Sequence, residues 1–184
     1  MSTDERGAIL LAIARTAIGS AFGIPAQADE SAPWLAEPGA TFVTLTQDGA
    51  LRGCIGSLEA HRPLLEDLKA NARAAAFRDT RFAPLEENEF EHTRVEVSLL
   101  SPLHPLAFRD EQEALAQLRP GIDGVVLEYG YQRGTFLPQV WEQLPRPESF
   151  LAHLKAKAGL PADFWAEGVK LYRYTVEKWK EQRP

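Results

Sequence analysis

Apolar residues near the start of the chain recur at the spacing of one helix face. Leu10, Ile13, Ala17 and Ile18 fall on a single stripe, with polar positions between them. Ser2 and Glu5 precede the stripe in the order of a capping box, in which the serine hydroxyl and the glutamate carboxylate each accept a backbone N–H. The pattern therefore predicts a first helix with one buried face.

Two alternating runs between residues 41 and 56 predict a β-hairpin. The runs flank Asp48-Gly49, a dipeptide that readily adopts the positive φ angles of a tight turn. The second run, Leu51-Arg52-Gly53-Cys54-Ile55-Gly56, is glycine-rich and therefore a poor strand former. Glycine there suggests that another group approaches the backbone closely.

The rest of the chain alternates between helix and strand patterns. Expected elements are a helix from Pro63 to about Phe77, a strand at 95–99, a short helix at 111–118, a hairpin at 125–129 and 135–137, a helix from Pro147 that ends at Gly159, and a late strand at 169–176. No internal repeat or flexible linker interrupts this pattern.

Alternation places Leu51 and Ile55 toward the core, and Arg52 and Cys54 on the opposite side of the strand. Cys54 is the single cysteine, and a neighbouring guanidinium favours the thiolate, which is the reactive form. We therefore take Cys54 and Arg52 as candidate catalytic residues. The alternatives are that Cys54 packs as a small hydrophobe and that Arg52 pairs with a carboxylate on the surface.

The two glycines of this run have different expected roles. Gly53 shares the core side, where close packing against the alanine-rich helix 64–77 is the structural alternative to ligand binding. Gly56 shares the side of Cys54, so an added methyl group there is expected to obstruct a ligand and to leave folding nearly intact.

Four further residues complete the candidate site. Asp79 and Arg81 belong to Asp79-Thr80-Arg81-Phe82, which is either a capped turn or half of an anion clamp with Arg52. His61 follows Cys54 by seven positions and is the nearest candidate base. Glu96 lies on the polar side of the strand at 95–99 and is a candidate proton carrier.

Composition restricts the classes of function. The four histidines lack metal-ligand spacing, and no phosphate-binding glycine loop or cysteine cluster occurs, so we expect neither a metal nor a cofactor. A net charge of −6 argues against nucleic acid as a partner. No apolar run approaches the ~20 residues of a membrane span, and one cysteine fits a reducing, cytoplasmic location.

At the signature 51–56 the chain resembles the AMMECR-domain family, whose prokaryotic members are called AmmeMemoRadiSam system protein A. The resemblance continues in order through Asp79-Thr80-Arg81-Phe82, Val95-Glu96-Val97-Ser98, Leu137-Pro138-Gln139-Val140 and Lys157-Ala158-Gly159-Leu160. It extends from about residue 5 to about residue 178, with Thr80 where many relatives have proline.

The resemblance implies one AMMECR-type domain over residues 1–184, with an α+β fold. It implies a mainly antiparallel sheet flanked by helices, a smaller second lobe, and a cleft near residues 51–56. It also implies a pathway shared with a Memo-family protein and a radical SAM protein. It implies little about chemistry. The candidate residues themselves support two functions: a cysteine-dependent enzyme acting on a small anionic substrate, or a non-catalytic module that binds a ligand or a partner protein in the same cleft.

Overall fold

The computed structural model describes residues 2–182 as an α+β protein, which confirms the predicted fold class. Its elements are α1 (Thr3–Gly19), β1 (Ala40–Gln47), β2 (Ala50–Gly56), α2 (Leu64–Phe77), α3 (Glu87–Phe90), β3 (Arg94–Leu100), β4 (His104–Pro105), α4 (Glu111–Gln117), β5 (Gly124–Tyr129), β6 (Gln132–Phe136), α5 (Pro147–Lys157), β7 (Lys170–Tyr174) and β8 (Val176–Lys180). Short 3₁₀ turns link several of them. Within the described residues no helix is long and apolar enough to cross a bilayer.

The chain divides into two compact units. The first runs to Leu100 and resumes at Glu177, and the second is Ser101–Val176. The first unit contains a four-stranded sheet in the order β2-β1-β3-β8, and the second contains another in the order β4-β7-β5-β6.

The capping box predicted for α1 is present. Ser2 Oγ accepts the N–H of Glu5, and the Glu5 carboxylate accepts the N–H of Ser2 at 2.7 Å. The apolar stripe of α1 is fully buried in the first core, together with α2 and one face of the sheet. The local signals at this end of the chain therefore identified both the start of the helix and its buried face.

The hairpin turn is also as predicted, with Asp48 at φ 48° and Gly49 at φ 82°. Beyond the turn the pairing of β1 with β2 shifts, because Arg52 is an extra residue opposite β1. This bulge interrupts the alternation. Leu51 is consequently 43% exposed, and the expectation that it faces the core is wrong, whereas Ile55 packs against the core.

A buried carboxylate fixes α2 to β1. Asp67 is fully buried and accepts hydrogen bonds from the backbone N–H and the hydroxyl of Thr41, both at 2.8 Å. Ser57, Arg62 and Asn71 donate to the same carboxylate at 2.6, 2.9 and 3.0 Å. These hydrogen bonds replace the water that a free carboxylate would bind. Together they hold α2 at a defined distance from β1.

The second unit packs α4 and α5 on one face of its sheet. Trp141 stacks on Phe150 with ring centroids 3.8 Å apart, at the centre of this core. The buried ammonium of Lys155 on α5 pairs with Glu111 of α4 at 2.6 Å.

The late strand predicted at 169–176 is present as β7, and a further strand, β8, follows it directly. β7 ends at Tyr174 in the second sheet, and β8 begins at Val176 in the first sheet. The alternating pattern therefore runs without a break from a strand of the second unit into a strand of the first. The pattern alone does not show where one strand ends and the next begins.

Candidate functional site

The motif Asp79-Thr80-Arg81-Phe82 covers an open strand edge. β2 is an edge strand, and the N–H of Cys54 donates to Asp79 Oδ2 at 2.9 Å. Arg81 pairs with the same carboxylate at 2.7 Å and donates to the carbonyl of Cys54 at 3.3 Å. These bonds satisfy outward-facing backbone groups that would otherwise accept a foreign strand.

The contact between Asp79, Arg81 and the backbone of Cys54, which we call the clasp, favours the charged forms of the Asp79 and Arg81 side chains. Hydrogen bonds from Arg81, and then from the Cys54 N–H, hold the pKa of Asp79 well below its usual range. The pKa of Arg81 is raised by the same pairing. The capped-turn alternative therefore accounts for the structural positions of both residues.

Arg52 also has an internal partner. Its guanidinium forms a two-pronged contact with Glu89 at 2.9 and 3.0 Å and donates to the carbonyl of Ala83 at 2.9 Å. The Arg52 hydrogen bonds are the main cause that lowers the pKa of Glu89 to about 2. The positive charge expected to act on the Cys54 thiol is thus paired with a carboxylate.

Arg52 and Arg81 do come together, but on an aromatic ring. Their guanidinium carbons lie 6.0 and 5.6 Å from the centroid of Phe82. Each cation is already paired, Arg52 with Glu89 and Arg81 with Asp79. The geometry therefore connects the signature strand to the Asp79–Phe82 motif, with both arginines internally paired.

Both glycines of the signature are sterically required. A Cβ on Gly53 would lie 2.1 Å from the backbone carbonyl oxygen of Ala75, which confirms close helix–strand packing. A Cβ on Gly56 would lie 2.2 Å from the ring of Phe42. The expectation that Gly56→Ala leaves folding intact is therefore wrong, because the Phe42 ring fills the space assigned to a ligand.

One face of the first sheet turns away from α1 and α2, and we call it the Cys54 face. It is formed by residues of three adjacent strands: Phe42, Thr44, Cys54, Gly56, Arg94, Glu96 and Ser98. Thr44 pairs across the sheet with Cys54 on one side and with Glu96 on the other. The half-buried Cys54 Sγ and Thr44 Oγ1 are hydrogen-bonded at 3.3 Å.

Three side chains of β3 on the Cys54 face, those of Arg94, Glu96 and Ser98, have no partner within residues 2–182. Ser98 is only 6% exposed, yet its hydroxyl makes no hydrogen bond to the described chain. The half-buried carboxylate of Glu96, two positions earlier on β3, makes no hydrogen bond or ion pair there either. The oxygens of Glu96 and Ser98 are not fully shielded from solvent, so they are open to a hydrogen bond from water or from an external partner.

Strand β8 adds two lysines to the same face. The ring of Trp179 lies against Gly7 of α1, on the opposite side of the sheet. Because side chains alternate along a strand, Lys178 and Lys180 project from the side of the Cys54 face. Both lysines are exposed, and neither forms an ion pair with a described residue.

The backbone pairing places one of these lysines beside the free carboxylate. The N–H of Glu181 donates to the carbonyl of Val95 at 3.0 Å, where β8 runs antiparallel to β3. One position inward, Lys180 therefore lies opposite Glu96, at a Cα spacing of about 4.5–5.5 Å. From β2 to β8, the row of side chains across the sheet is therefore the thiol of Cys54, the hydroxyl of Thr44, the carboxylate of Glu96 and the ammonium group of Lys180.

His61 does not join this row. It is exposed in the segment between β2 and α2, and the hydrogen-bond partner of the Cys54 thiol is Thr44. The expected cysteine–histidine pair is therefore not formed. Among the described residues no group of three or more His, Cys, Asp or Glu side chains could hold a metal ion.

Sequence reasoning identified Cys54, Glu96 and the polar position of Ser98, but missed Phe42 and Thr44. The alternation of β1 contained the missing signal, because Phe42 and Thr44 occupy its non-core positions. Their importance depends on pairing with β2 and β3, which is a tertiary property.

Comparison with known proteins identifies the family. The AMMECR1 family model matches residues 11–179, so the chain belongs to the AMMECR1 family. Protein MJ0810 of Methanocaldococcus jannaschii is 43% identical over 143 residues, which are 74% of this chain and 69% of that protein. A protein of Thermococcus gammatolerans is 36% identical over 98% of this chain and 93% of its own length.

A solved structure shows the same fold. The crystal structure of uncharacterized protein PH0010 from Pyrococcus horikoshii matches with a TM-score of 0.77 and 35% identity. The match covers 98% of this chain and 93% of that one.

Proposed function

We propose that this chain is a binding module that holds a small polar ligand on the Cys54 face, as an accessory protein in a pathway with Memo-family and radical SAM proteins. One observation carries the proposal: Ser98 is 6% exposed and Glu96 is half-buried, and both lack a partner within the described chain. The pathway comes from the family resemblance, and the single cysteine fits a reducing, cytoplasmic location.

The pairing of the two arginines favours this binding function over the expected anion-activated thiol. Arg52 is paired with Glu89, and Arg81 with Asp79, so neither is available to a substrate without breaking a charged contact. Breaking such a contact would leave the partner carboxylate unpaired. Among residues 2–182, the cations on this face without an internal partner are Lys178, Lys180 and Arg94, which lies two positions before Glu96 on β3.

A cysteine-dependent enzyme is the second candidate, and the thiol itself favours it. Cys54 Sγ is half-buried, within 3.3 Å of a hydroxyl and in the same cross-strand row as a carboxylate. In that function Cys54 is the nucleophile, and Glu96 carries a proton through Thr44 or through the substrate. A small anionic substrate would meet the two lysines of β8.

The test is a ligand-observed NMR screen of small polar compounds against three forms of the protein. The forms are native, alkylated with iodoacetamide at Cys54, and Cys54→Ser. The proposal predicts compounds that bind the native and serine forms and lose binding to the alkylated form, because the added group occupies the face. Compounds that all bind the alkylated form equally well would contradict it.

Turnover separates the two candidates. If a compound found in this screen is chemically changed by the native protein and left unchanged by Cys54→Ser, the chain is an enzyme. If neither form changes it, and binding persists in Cys54→Ser, the binding module stands. Titration calorimetry with a purified Memo-family protein and a radical SAM protein then tests the accessory role directly.

A further inference from the structure

The polar groups of the Cys54 face that lack an internal partner include both negative and positive charges. This restricts the kinds of ligand that the face can bind. Glu96 contributes a carboxylate without an internal partner, and Ser98 contributes a nearly buried hydroxyl. The two side chains are on the same side of β3, about 6.5–7 Å apart along the strand. An ammonium group placed over β3 would donate hydrogen bonds to both oxygens, the charged one of Glu96 and the neutral one of Ser98.

Positive charge lies on β3 itself at Arg94, two positions before Glu96, and on the next strand. Lys178 and Lys180 of β8 are exposed and have no ion-pair partner among residues 2–182. Each faces a β3 residue at about 4.5–5.5 Å between Cα atoms. A carboxylate located over the boundary between β3 and β8 would therefore meet ammonium groups and not another acid.

The third boundary of the site is apolar. The Phe42 ring covers Gly56 and is half-buried, so it offers a surface for a short hydrocarbon group. The thiol and hydroxyl of Cys54 and Thr44 are already hydrogen-bonded to each other. The described groups on this face without an internal partner are thus one carboxylate, one hydroxyl, two ammonium groups and the guanidinium of Arg94, two positions before Glu96 on β3.

We infer that the Cys54 face binds a small zwitterion in which an ammonium group and a carboxylate are adjacent, as in an α-amino acid. The ammonium group binds Glu96 and Ser98, and the carboxylate binds the β8 lysines. This inference rests on the proposed binding function and replaces the anionic ligand expected from the sequence, because the two arginines that suggested an anion are internally paired.

The test is a titration of ¹⁵N-labelled protein with three matched probes: L-alanine, propionate, which lacks the amine, and ethylamine, which lacks the carboxylate. L-Alanine is expected to shift the amide signals of Thr44, Glu96 and Ser98. Propionate and ethylamine are each expected to bind about 10-fold or more weakly, because each loses one charged hydrogen bond. Equal binding of propionate and L-alanine would overturn the inference.

Variants assign the two charges. Glu96→Gln is expected to weaken L-alanine binding about 10- to 100-fold, whereas Glu91→Gln, a matched loss of one exposed carboxylate, leaves it unchanged. Lys180→Gln is expected to weaken binding, with Lys170→Gln as its control. If Lys180 merely neutralises Glu96, its removal would strengthen ethylamine binding, and that result would overturn the inference.

The outcomes also separate this inference from the proposed function. Absence of L-alanine shifts, together with other compounds whose binding is lost on alkylation of Cys54, would overturn the zwitterion and keep the binding face. If L-alanine causes no shifts and no compound loses binding on alkylation of Cys54, the zwitterion inference and the proposed binding function are both overturned.

Discussion

Gly53→Ala tests whether the signature strand is built for close contact with α2. The new Cβ would lie 2.1 Å from the carbonyl oxygen of Ala75, while an ordinary carbon–oxygen contact is about 3.3 Å. Helix or strand must then move by roughly 1.2 Å, and the obstacle is backbone that cannot rotate away. The Asp67 hydrogen bonds described above hold α2 against this movement.

The expected cost is at or above the upper end of the usual overpacking range, about 3 kcal/mol. For a chain of this size that corresponds to a fall in melting temperature of roughly 6–12 °C. Gly56→Ala is the matched control, because its obstacle is the Phe42 side chain, which can turn aside. We expect a cost of about 1–2 kcal/mol there.

Urea unfolding followed by far-UV circular dichroism measures both variants. Adding Phe42→Ala should remove most of the penalty of Gly56→Ala and none of the penalty of Gly53→Ala, relative to Phe42→Ala alone. A Gly53→Ala protein within about 0.5 kcal/mol of the native free energy of unfolding would refute the close-contact explanation. Equal rescue of both glycine variants would refute the assignment of their separate obstacles.

Three further predictions concern paired charges. The pKa of Glu89 is lowered from its ordinary value to about 2, so its contribution to the stability of the folded protein is complete above about pH 4.5 and is lost as pH falls toward 2. The urea midpoint of Glu89→Gln should therefore depend less on pH across that window than the midpoint of the native protein. An equal pH dependence of the two midpoints would contradict this. Asp79→Asn should accelerate hydrogen exchange of the Cys54 amide selectively, and an unchanged rate would show that the clasp does not protect the edge. Lys155→Met should change the free energy of unfolding by less than about 1 kcal/mol, whereas Glu111→Leu, which leaves the buried ammonium unpaired, should cost about 3 kcal/mol or more; equal costs would refute this asymmetry.

Local signals in the sequence predicted the local structure well. The capping box of α1 and the turn at Asp48-Gly49 depend on residues within a few positions of each other, and both are present. The helix expected from Pro63 begins one residue later, at Leu64, with Pro63 as its cap. Propensity and steric preference act at this range, so one sequence is sufficient.

Non-local features were not predictable in the same way. Glu89, the partner of Arg52, lies 37 positions away, and nothing in the sequence distinguishes it from the other acids of its segment. The bulge at Arg52 inserts one residue, which reverses the expected direction of Leu51. The transition at Thr175 from one sheet to the other likewise depends on the fold of both units.

The candidate site was predictable in part for the same reason. Alternation identified the polar positions of Glu96 and Ser98, and glycine content drew attention to the strand of Cys54. The internal pairing of Arg52 could not be inferred, because its carboxylate partner, Glu89, is brought to it by the tertiary fold. Charge pairing at long sequence separation is decided by the tertiary fold.

The rate of alkylation of Cys54 by iodoacetamide in the native protein tests the central claim most directly. We predict that the half-buried thiol of the Cys54 face reacts in native buffer at a rate unaffected by sub-denaturing urea. We also predict that a compound bound on the Cys54 face slows this reaction. A thiol that reacts only in parallel with global unfolding would show that Cys54 is core packing and would contradict the claim.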